Sequence, residues 1–394
     1  MKELWIILCG LPVGIWAYLL AFRGGFWREQ PRPAPAIALE AWPEVVAVVP
    51  ARNEADVVME AVGGLLRQDY PGRFTVVLVD DNSDDLTAAH AQAAARAADA
   101  KHRLKVISGR ALRAGWTGKL WAVSQGLAAA EKLAPDAAYV LLTDADILHA
   151  QDSLRGLVAR AEGGKLKLVS LMAKLKTAAF AEKALIPAYI FFFQKLYPFA
   201  WVNDPKHRMA GAAGGCMLVC RKALKAIGGI AAIKDSLIDD CALGRAIKRQ
   251  GPIWLGLADN VWSLRGYPRW RDIWMLIARS AFTQLNHSGT MLLVSVLGMA
   301  FTYLLPPLIC LSPDPGLRPF GYIAWAGMSL AYLPTLYYYR SAALWAPFLP
   351  VVALFYTLAT IDSARRYWLG RGGAWKGRMQ AQKAGQRSAG NSAA

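Results

Sequence analysis

Leu141-Leu142-Thr143-Asp144-Ala145-Asp146 is the stretch on which the reading of this chain turns. An apolar strand over residues 138–142 runs directly into two carboxylates one residue apart. In extended chain, residues i and i+2 point to the same side, so Asp144 and Asp146 are expected to face one ligand at the strand's end. The strand has to stop there, because adjacent ionised carboxylates cannot be left unpaired in a core. Oxygen donors of this kind suit a hard divalent cation, Mg²⁺ or Mn²⁺. Ordinary turns also contain Asp-x-Asp, so the surrounding sequence has to decide.

From Glu44 onward the chain alternates between two periods. Strands are expected over 45–49, 74–79, 104–107 and 139–142. Helices are expected over 55–67, over 84–98 with Ser83 or Asp84 as its cap, and over 119–133. This rhythm predicts an α/β domain with a Rossmann-like, mostly parallel sheet, in which ligands bind beyond the carboxyl ends of the strands. The polar clusters fall at those ends. Pro50-Ala51-Arg52-Asn53-Glu54 follows the first strand, Asp80-Asp81-Asn82-Ser83-Asp84 the second, and Asp144-Ala145-Asp146 the fourth. Gly115-Trp116-Thr117-Gly118-Lys119 lies between the third strand and the next helix. Each cluster alone is compatible with a plain turn. Together they make an acidic cup with a glycine-flanked lysine, suited to a nucleoside, a metal and a diphosphate.

The 394-residue chain is 55% hydrophobic and carries a net charge of +17. It is too apolar for a purely soluble protein and too charged in its middle for a fully embedded one. A membrane-attached globular domain with anionic partners is expected. No zinc-finger spacing or recognisable nucleic-acid module is present, so nucleic acid ranks last and no nucleic-acid partner is expected. Cys9, Cys216, Cys220, Cys241 and Cys310 form no disulfide or metal pattern and read as small buried residues in a reducing compartment.

Residues 4–22 are almost wholly apolar and long enough to span a bilayer, and Arg23, Arg28 and Arg32 follow. The positive-inside rule puts that flank and the domain after it in the cytoplasm. Without a basic leader or a small-x-small cleavage site, the segment reads as an uncleaved anchor, residues 1–23, followed by a stiff Pro31–Pro35 linker. Residues 184–201, apolar and aromatic, suit a helix lying in the membrane interface, and 273–285 is a second candidate. Three further spans are expected, over 291–311, 320–338 and 342–361. The tail from Arg365 carries seven Lys or Arg and no acid. Three crossings would put that basic tail outside, against positive-inside, so one span is expected to be re-entrant, with Pro306-Pro307 marking the first as the candidate.

Taken together, these residues resemble the family 2 glycosyltransferases of the GT-A fold over residues 44–285. The resemblance rests on the P-x-x-N-E opening, the D-D-x-S-x-D loop, the D-x-D loop, Gly214-Gly215 at the start of a strand, and Asp239-Asp240 followed by Leu243-Gly244. With G-W-T-G-K-L-W-A included, the pattern is most similar to the bacterial hopene-associated glycosyltransferases. The membrane layout is also similar to that of ceramide glucosyltransferases.

The resemblance implies roles. Asp81 would meet a uracil ring, with Pro50, Arg52 and Glu54 beside the nucleoside and Lys119 at the nucleotide or its phosphates. Asp144 would lie by the ribose or donor sugar and share the metal with Asp146. Gly214 and Gly215 would admit the acceptor. Asp240 matches the catalytic base, and Asp239, where the family usually has Glu, would raise the proton affinity of the pair. Without the resemblance, the same two residues read equally well as helix N-terminal carboxylates favouring the dipole.

Processive members of the family carry Q-x-x-R-W. Here Arg269-Trp270 is present, assigned to the diphosphate side, but Gly266 stands at the Gln position, and Arg265 and Arg271 lie nearby. The organisation expected is therefore an anchor (1–23), a GT-A domain (44–285), a transmembrane region (290–361) and a basic, disordered tail (362–394). The expected protein is a multi-pass enzyme of the bacterial inner membrane with a cytoplasmic catalytic domain. It would use Mg²⁺ or Mn²⁺ to move a sugar, with inversion, from a UDP-linked donor to a hopanoid or polyprenyl lipid. The rivals are a processive polysaccharide synthase and a catalytically silent nucleotide-binding membrane protein.

Overall fold

The computed structural model describes residues 2–35, 37, 39–370, 372, 374–375 and 378–379. Its contacts divide the chain into two units. Among the described residues, those within 31–175, 202–265 and 373–379 make an α/β unit, and those within 2–30, 176–201 and 266–372 a helical unit.

The α/β unit is built on strands β1 (Val45–Ala51), β2 (Phe74–Asp80), β3 (Leu104–Ser108), β4 (Tyr139–Thr143), β5 (Ile147–His149), β6 (Leu168–Lys174), β7 (Cys216–Cys220) and β8 (Ile253–Ser263). They form one sheet in the order β3-β2-β1-β4-β7-β6-β8-β5. β1 is buried at every residue, which is why its sequence is a run of Val and Ala and does not alternate. β1 pairs parallel to both β2 and β4, and β2 parallel to β3. β6 also pairs parallel to β8, so the expectation of a mostly parallel sheet holds, with four of the seven strand pairings parallel. β7 runs antiparallel to β4 and β6, and β5 antiparallel to β8, so the whole sheet is mixed. The reversal leaves no period to read, because β5 to β8 follow one another through loops and helices of irregular length.

Strand order reverses between β1 and β4, where an α/β sheet opens a crevice beyond its carboxyl edge. The register makes that crevice. β1 stays paired with β2 as far as Ala51↔Asp80 but leaves β4 after Val48↔Leu142. Pro50 sits in the fork, where its missing N–H costs no bond to β4.

The helix expected over 84–98 is Thr87–Ala97, with Leu86 at its N-cap and no side-chain cap. Neither Ser83 nor Asp84 caps it. Asp85 accepts from the Thr87 N–H at 3.0 Å and from the Ala55 N–H at 3.1 Å, tying the helix start to the loop after β1.

In the helical unit, three segments are long and apolar enough to cross a membrane: Trp5–Phe22, Gly289–Cys310 and Ala343–Trp368. The span expected at 320–338 is a helix, Arg318–Tyr338, but it is not among these three. Gly321 allows its close approach to the preceding helix, since an added Cβ would lie 2.7 Å from the Pro306 carbonyl oxygen. The expected re-entrant break at Pro306-Pro307 is instead a π-turn, Ala300–Leu304, inside a continuing helix. That is the usual response to prolines that withhold backbone donors.

Of the segment 184–201, expected to lie in the membrane interface, residues 184–196 belong to a largely buried helix, Phe180–Leu196. Ile186, Ile190 and Phe191 are fully buried. Phe191 meets Tyr332 at 5.2 Å between ring centroids, and Phe192 meets Tyr356 at 4.9 Å. The middle of this helix, residues 184–193, is apolar or aromatic all round and has no face to identify its surroundings, and aromatic rings fill cores as readily as they line bilayers. The last helix runs on to Trp368, past the expected end of the span at 361. Residues 380–394 of the basic tail lie outside the described residues.

Candidate active site

Two loops wall the crevice on the β1–β2 side, and their backbones are laced together. Asn53 and Asn82 both adopt left-handed conformations, φ 50° and 54°, which Asn tolerates better than most residues. The turns aim polar groups across the gap. The Asn53 N–H donates to the Ser83 hydroxyl at 3.0 Å, the Asp84 N–H to the Asn53 side-chain carbonyl at 2.9 Å, and the Glu54 N–H to the Thr87 hydroxyl at 2.8 Å. Arg52 donates to the backbone carbonyls of Asp81 and Asn82 at 2.5 and 2.8 Å. Asp81 is fully buried behind this lacing, with its N–H on the Ala51 carbonyl at 2.8 Å. Gly109 closes the far side, where an added Cβ would lie 3.0 Å from the Asp81 Cα.

The D-x-D segment departs from expectation. β4 ends at Thr143, and residues 144–146 form a turn, so the extended-chain rule does not apply to the pair. The two carboxylates engage different cations. Asp144 pairs with the Lys119 ammonium at 2.9 Å, and Asp146 accepts from Arg265 Nε at 3.0 Å. The same arginine donates through Nη2 to both oxygens of Glu54 at 2.7 Å, so Arg265 joins the loop after β1 to the loop after β4.

Lys119 enters near the start of the helix Gly118–Leu133, whose N-cap Thr117 accepts from the Leu120 N–H. Its ammonium lies between Asp144 and Asp239, 3.3 Å from the latter. Burial works against that charge, but Asp144 and Asp239 outweigh it and hold Lys119 above the ordinary lysine range. Burial also raises Asp144; Lys119 pulls the other way, and the nearby Asp146 adds to the rise.

Asp240, in the first turn of the helix Asp239–Lys248, is fixed by two backbone donors. The Gly214 N–H reaches one oxygen at 2.9 Å and the Cys241 N–H the other at 2.7 Å. Burial, with Asp239 beside it, pushes its carboxyl up to about 6. Gly214 borders both charges: a Cβ there would stand 3.4 Å from Asp240 Oδ2 and 3.4 Å from Lys119 Nζ. Gly215 turns the other way, toward Ile147, and its carbonyl accepts from the Thr143 hydroxyl at 2.8 Å. Pro50, Lys119, Thr143, Asp144, Gly214 and Asp239 line one recess.

Pro50, Arg52, Glu54, Asp81, Lys119, Asp144, Asp146, Gly214, Gly215, Asp239 and Asp240 are thus all carried by the α/β unit. Arg269 and Trp270 belong to the helical unit. Arg269 pairs with Asp272 of its own helix at 3.0 Å, and Trp270 packs against Phe180.

A buried support was not visible in the sequence. His149, held neutral by burial with its pKa down near 4, hydrogen-bonds Thr143 at 2.9 Å and Ser153 at 3.2 Å. Gln68 continues the chain by accepting from Ser153 at 3.1 Å. This network props the end of β4 from beneath. Nothing in the local sequence marks it, because its members come from separate elements.

Among the described residues no three Asp, Glu, His or Cys side chains assemble into a metal cage. The D-x-D pair fits another kind of site, in which Mg²⁺ or Mn²⁺ is held by one or two carboxylates and completed by substrate phosphates.

A sequence model of the family described as "Glycosyltransferase like family 2" matches residues 43–261. No curated protein matches. Among solved structures, the mannosyltransferase PcManGT from Pyrobaculum calidifontis, in complex with GDP-Man and Mn²⁺, is similar at 21% identity. The alignment covers 94% of this chain and 100% of that one, with a TM-score of 0.57, a likeness of fold. S. aureus TarS aligns at 14% identity over 73% of this chain and 54% of its own, with a TM-score of 0.40.

Proposed function

This chain belongs to the family 2 glycosyltransferases, and from that premise we propose that it moves a sugar from a nucleotide-sugar donor to a lipid hydroxyl, with inversion. The observation that carries the reading is Asp240, a carboxylate anchored by the Gly214 and Cys241 N–H groups and tuned upward to about 6. A general base works best when its pKa lies near the working pH. In a single in-line displacement the acceptor oxygen forms its bond to the anomeric carbon as the bond to the diphosphate breaks. Asp240 takes the hydroxyl proton. Lys119, one Asp144 oxygen away from the D-x-D turn, faces the negative charge that develops on the departing diphosphate.

On the donor side, Asp81 in its buried pocket suits the hydrogen-bonding edge of a base, uracil by the resemblance. Arg52, Glu54 and Pro50 shape the wall next to it. Asp146 and Asp144 would hold the divalent cation, which when bound neutralises diphosphate charge. Lys119 and Arg265 pair with these carboxylates, so binding a cation there would require Asp144 and Asp146 to release them.

A lipid acceptor is supported by the three candidate spans, and the hopanoid or polyprenyl class by the resemblance of residues 115–122 alone. Three spans fit the positive-inside rule better than four. An anchor that delivers the chain to the cytoplasm, followed by two crossings, would return the arginines from Arg365 to the cytoplasmic side of a bacterial inner membrane.

The pH profile tests the base. Asp240 acts when deprotonated, so kcat/KM is expected to be flat above neutrality and to fall about tenfold per pH unit below about 6. Asp239→Asn removes a neighbouring charge that raises Asp240, and the acid limb is expected to move to lower pH. A limb near the ordinary carboxylate range in the native enzyme, unmoved by Asp239→Asn, would remove Asp240 from this role.

A further inference from the structure

We propose that the helical unit carries a phosphate-binding site formed by Arg23, Lys195 and the Tyr303 hydroxyl, and that in the membrane its occupant is the phosphate of a lipid headgroup. This goes beyond the transfer reaction and holds whichever sugar is moved.

The two cations come together by construction. Arg23 follows directly on the apolar segment Trp5–Phe22. Its Nε and Nη2 reach the carbonyls of Lys195 and Leu196 at 3.2 and 3.5 Å, and its guanidinium lies 4.9 Å from the Trp201 ring centroid. The next residue fixes this arrangement. Gly24 has φ +61°, and a Cβ there would stand 2.9 Å from the Trp201 indole nitrogen and 3.0 Å from Pro198. Only glycine permits both the turn and the packing of Trp201. The Lys195 ammonium donates to the Tyr303 hydroxyl at 2.9 Å and lies 4.6 Å from that ring's centroid.

Neither cation has a carboxylate partner among the described residues; their contacts are carbonyls, a phenol and aromatic rings. Burial, with Arg23 beside it, holds the Lys195 ammonium down to about 7. Two neighbouring half-buried positive charges, with no carboxylate between them among the described residues, make an anion site. The donor set fits phosphate. Arg23 keeps N–H groups that its carbonyl contacts do not use. Lys195 has two further protons, and the Tyr303 hydroxyl accepts from Lys195 while keeping its own proton to give. The lipid source follows from position, since the end of a spanning segment is where headgroup phosphates lie. A lysine that merely extends toward water would need no hydroxyl partner and would show no saturable response.

The test uses the full chain in a neutral detergent. Acetylation of Lys195 is followed by mass spectrometry at about pH 8, where a depressed amine is reactive. Short-chain phosphatidic acid and, separately, inorganic phosphate are titrated. Phosphatidic acid is expected to slow acetylation of Lys195 saturably by about fivefold or more, and Arg23→Gln to raise the half-saturating concentration about fivefold. Native-protein protection is read without any variant, so a variant that fails to fold does not remove the test. Protection by phosphatidic acid and not by inorganic phosphate supports the headgroup. Equal protection by inorganic phosphate overturns the lipid assignment, and no saturable protection by either overturns the site.

Discussion

Asp240→Asn is expected to lower kcat by about 10²–10⁴-fold while leaving donor affinity unchanged. The substitution keeps size and shape. The asparagine side-chain carbonyl still accepts from the Gly214 or Cys241 N–H, so the start of the helix Asp239–Lys248 stays in place. What is lost is the ability to take a proton. The competing reading of Asp240, a carboxylate that only favours the helix dipole, assigns it at most about 1 kcal/mol of stability and no effect on turnover. Turnover by the purified full chain, beside isothermal titration of the donor, separates the two. A kcat within a few-fold of the native value would leave the helix-dipole role standing.

Lys119→Ala is expected to cost on the order of 3 kcal/mol of stability and to weaken donor binding. Lys119 lies between Asp144 and Asp239 with Asp240 close behind, so its removal leaves three recessed carboxylates facing one another. They answer by holding protons. The sign of the pH dependence follows: a carboxyl whose folded pKa is raised weakens the fold above that pKa and ceases to do so below it. The deficit measured by urea denaturation of the variant is therefore expected to be largest at about pH 8 and to shrink toward about pH 5. A deficit equal at both pH values would mean that Lys119 acts through packing and not through its charge.

The parallel half of the sheet and the position of the crevice were legible because each strand from β1 to β4 is a short apolar run closed by a polar cluster. Pro50 stands in a legible motif, but its place in the fork depends on register, which needs both neighbours of β1. The D-x-D pair was found and its geometry misjudged. Strand rules apply only while the chain is extended, and the turn begins at Asp144. In the sequence Arg265 stands out only by its nearness to Arg269-Trp270. Its pairing with Glu54, 211 residues earlier, belongs to tertiary structure and leaves no local trace. His149 and Gln68 were missed for the same reason. The surroundings of the Phe180–Leu196 helix were not legible because residues 184–193 are apolar or aromatic on every face.

The central claim, transfer of one sugar from a nucleotide donor to a lipid, is tested most directly by one assay. Detergent-purified full chain is incubated with Mn²⁺ and a panel of nucleotide sugars, with and without total lipid from a hopanoid-producing bacterium. The account predicts nucleotide release from one donor, stimulated by lipid and accompanied by a singly glycosylated lipid product. Release that ignores lipid, or a long polymeric product, would contradict it.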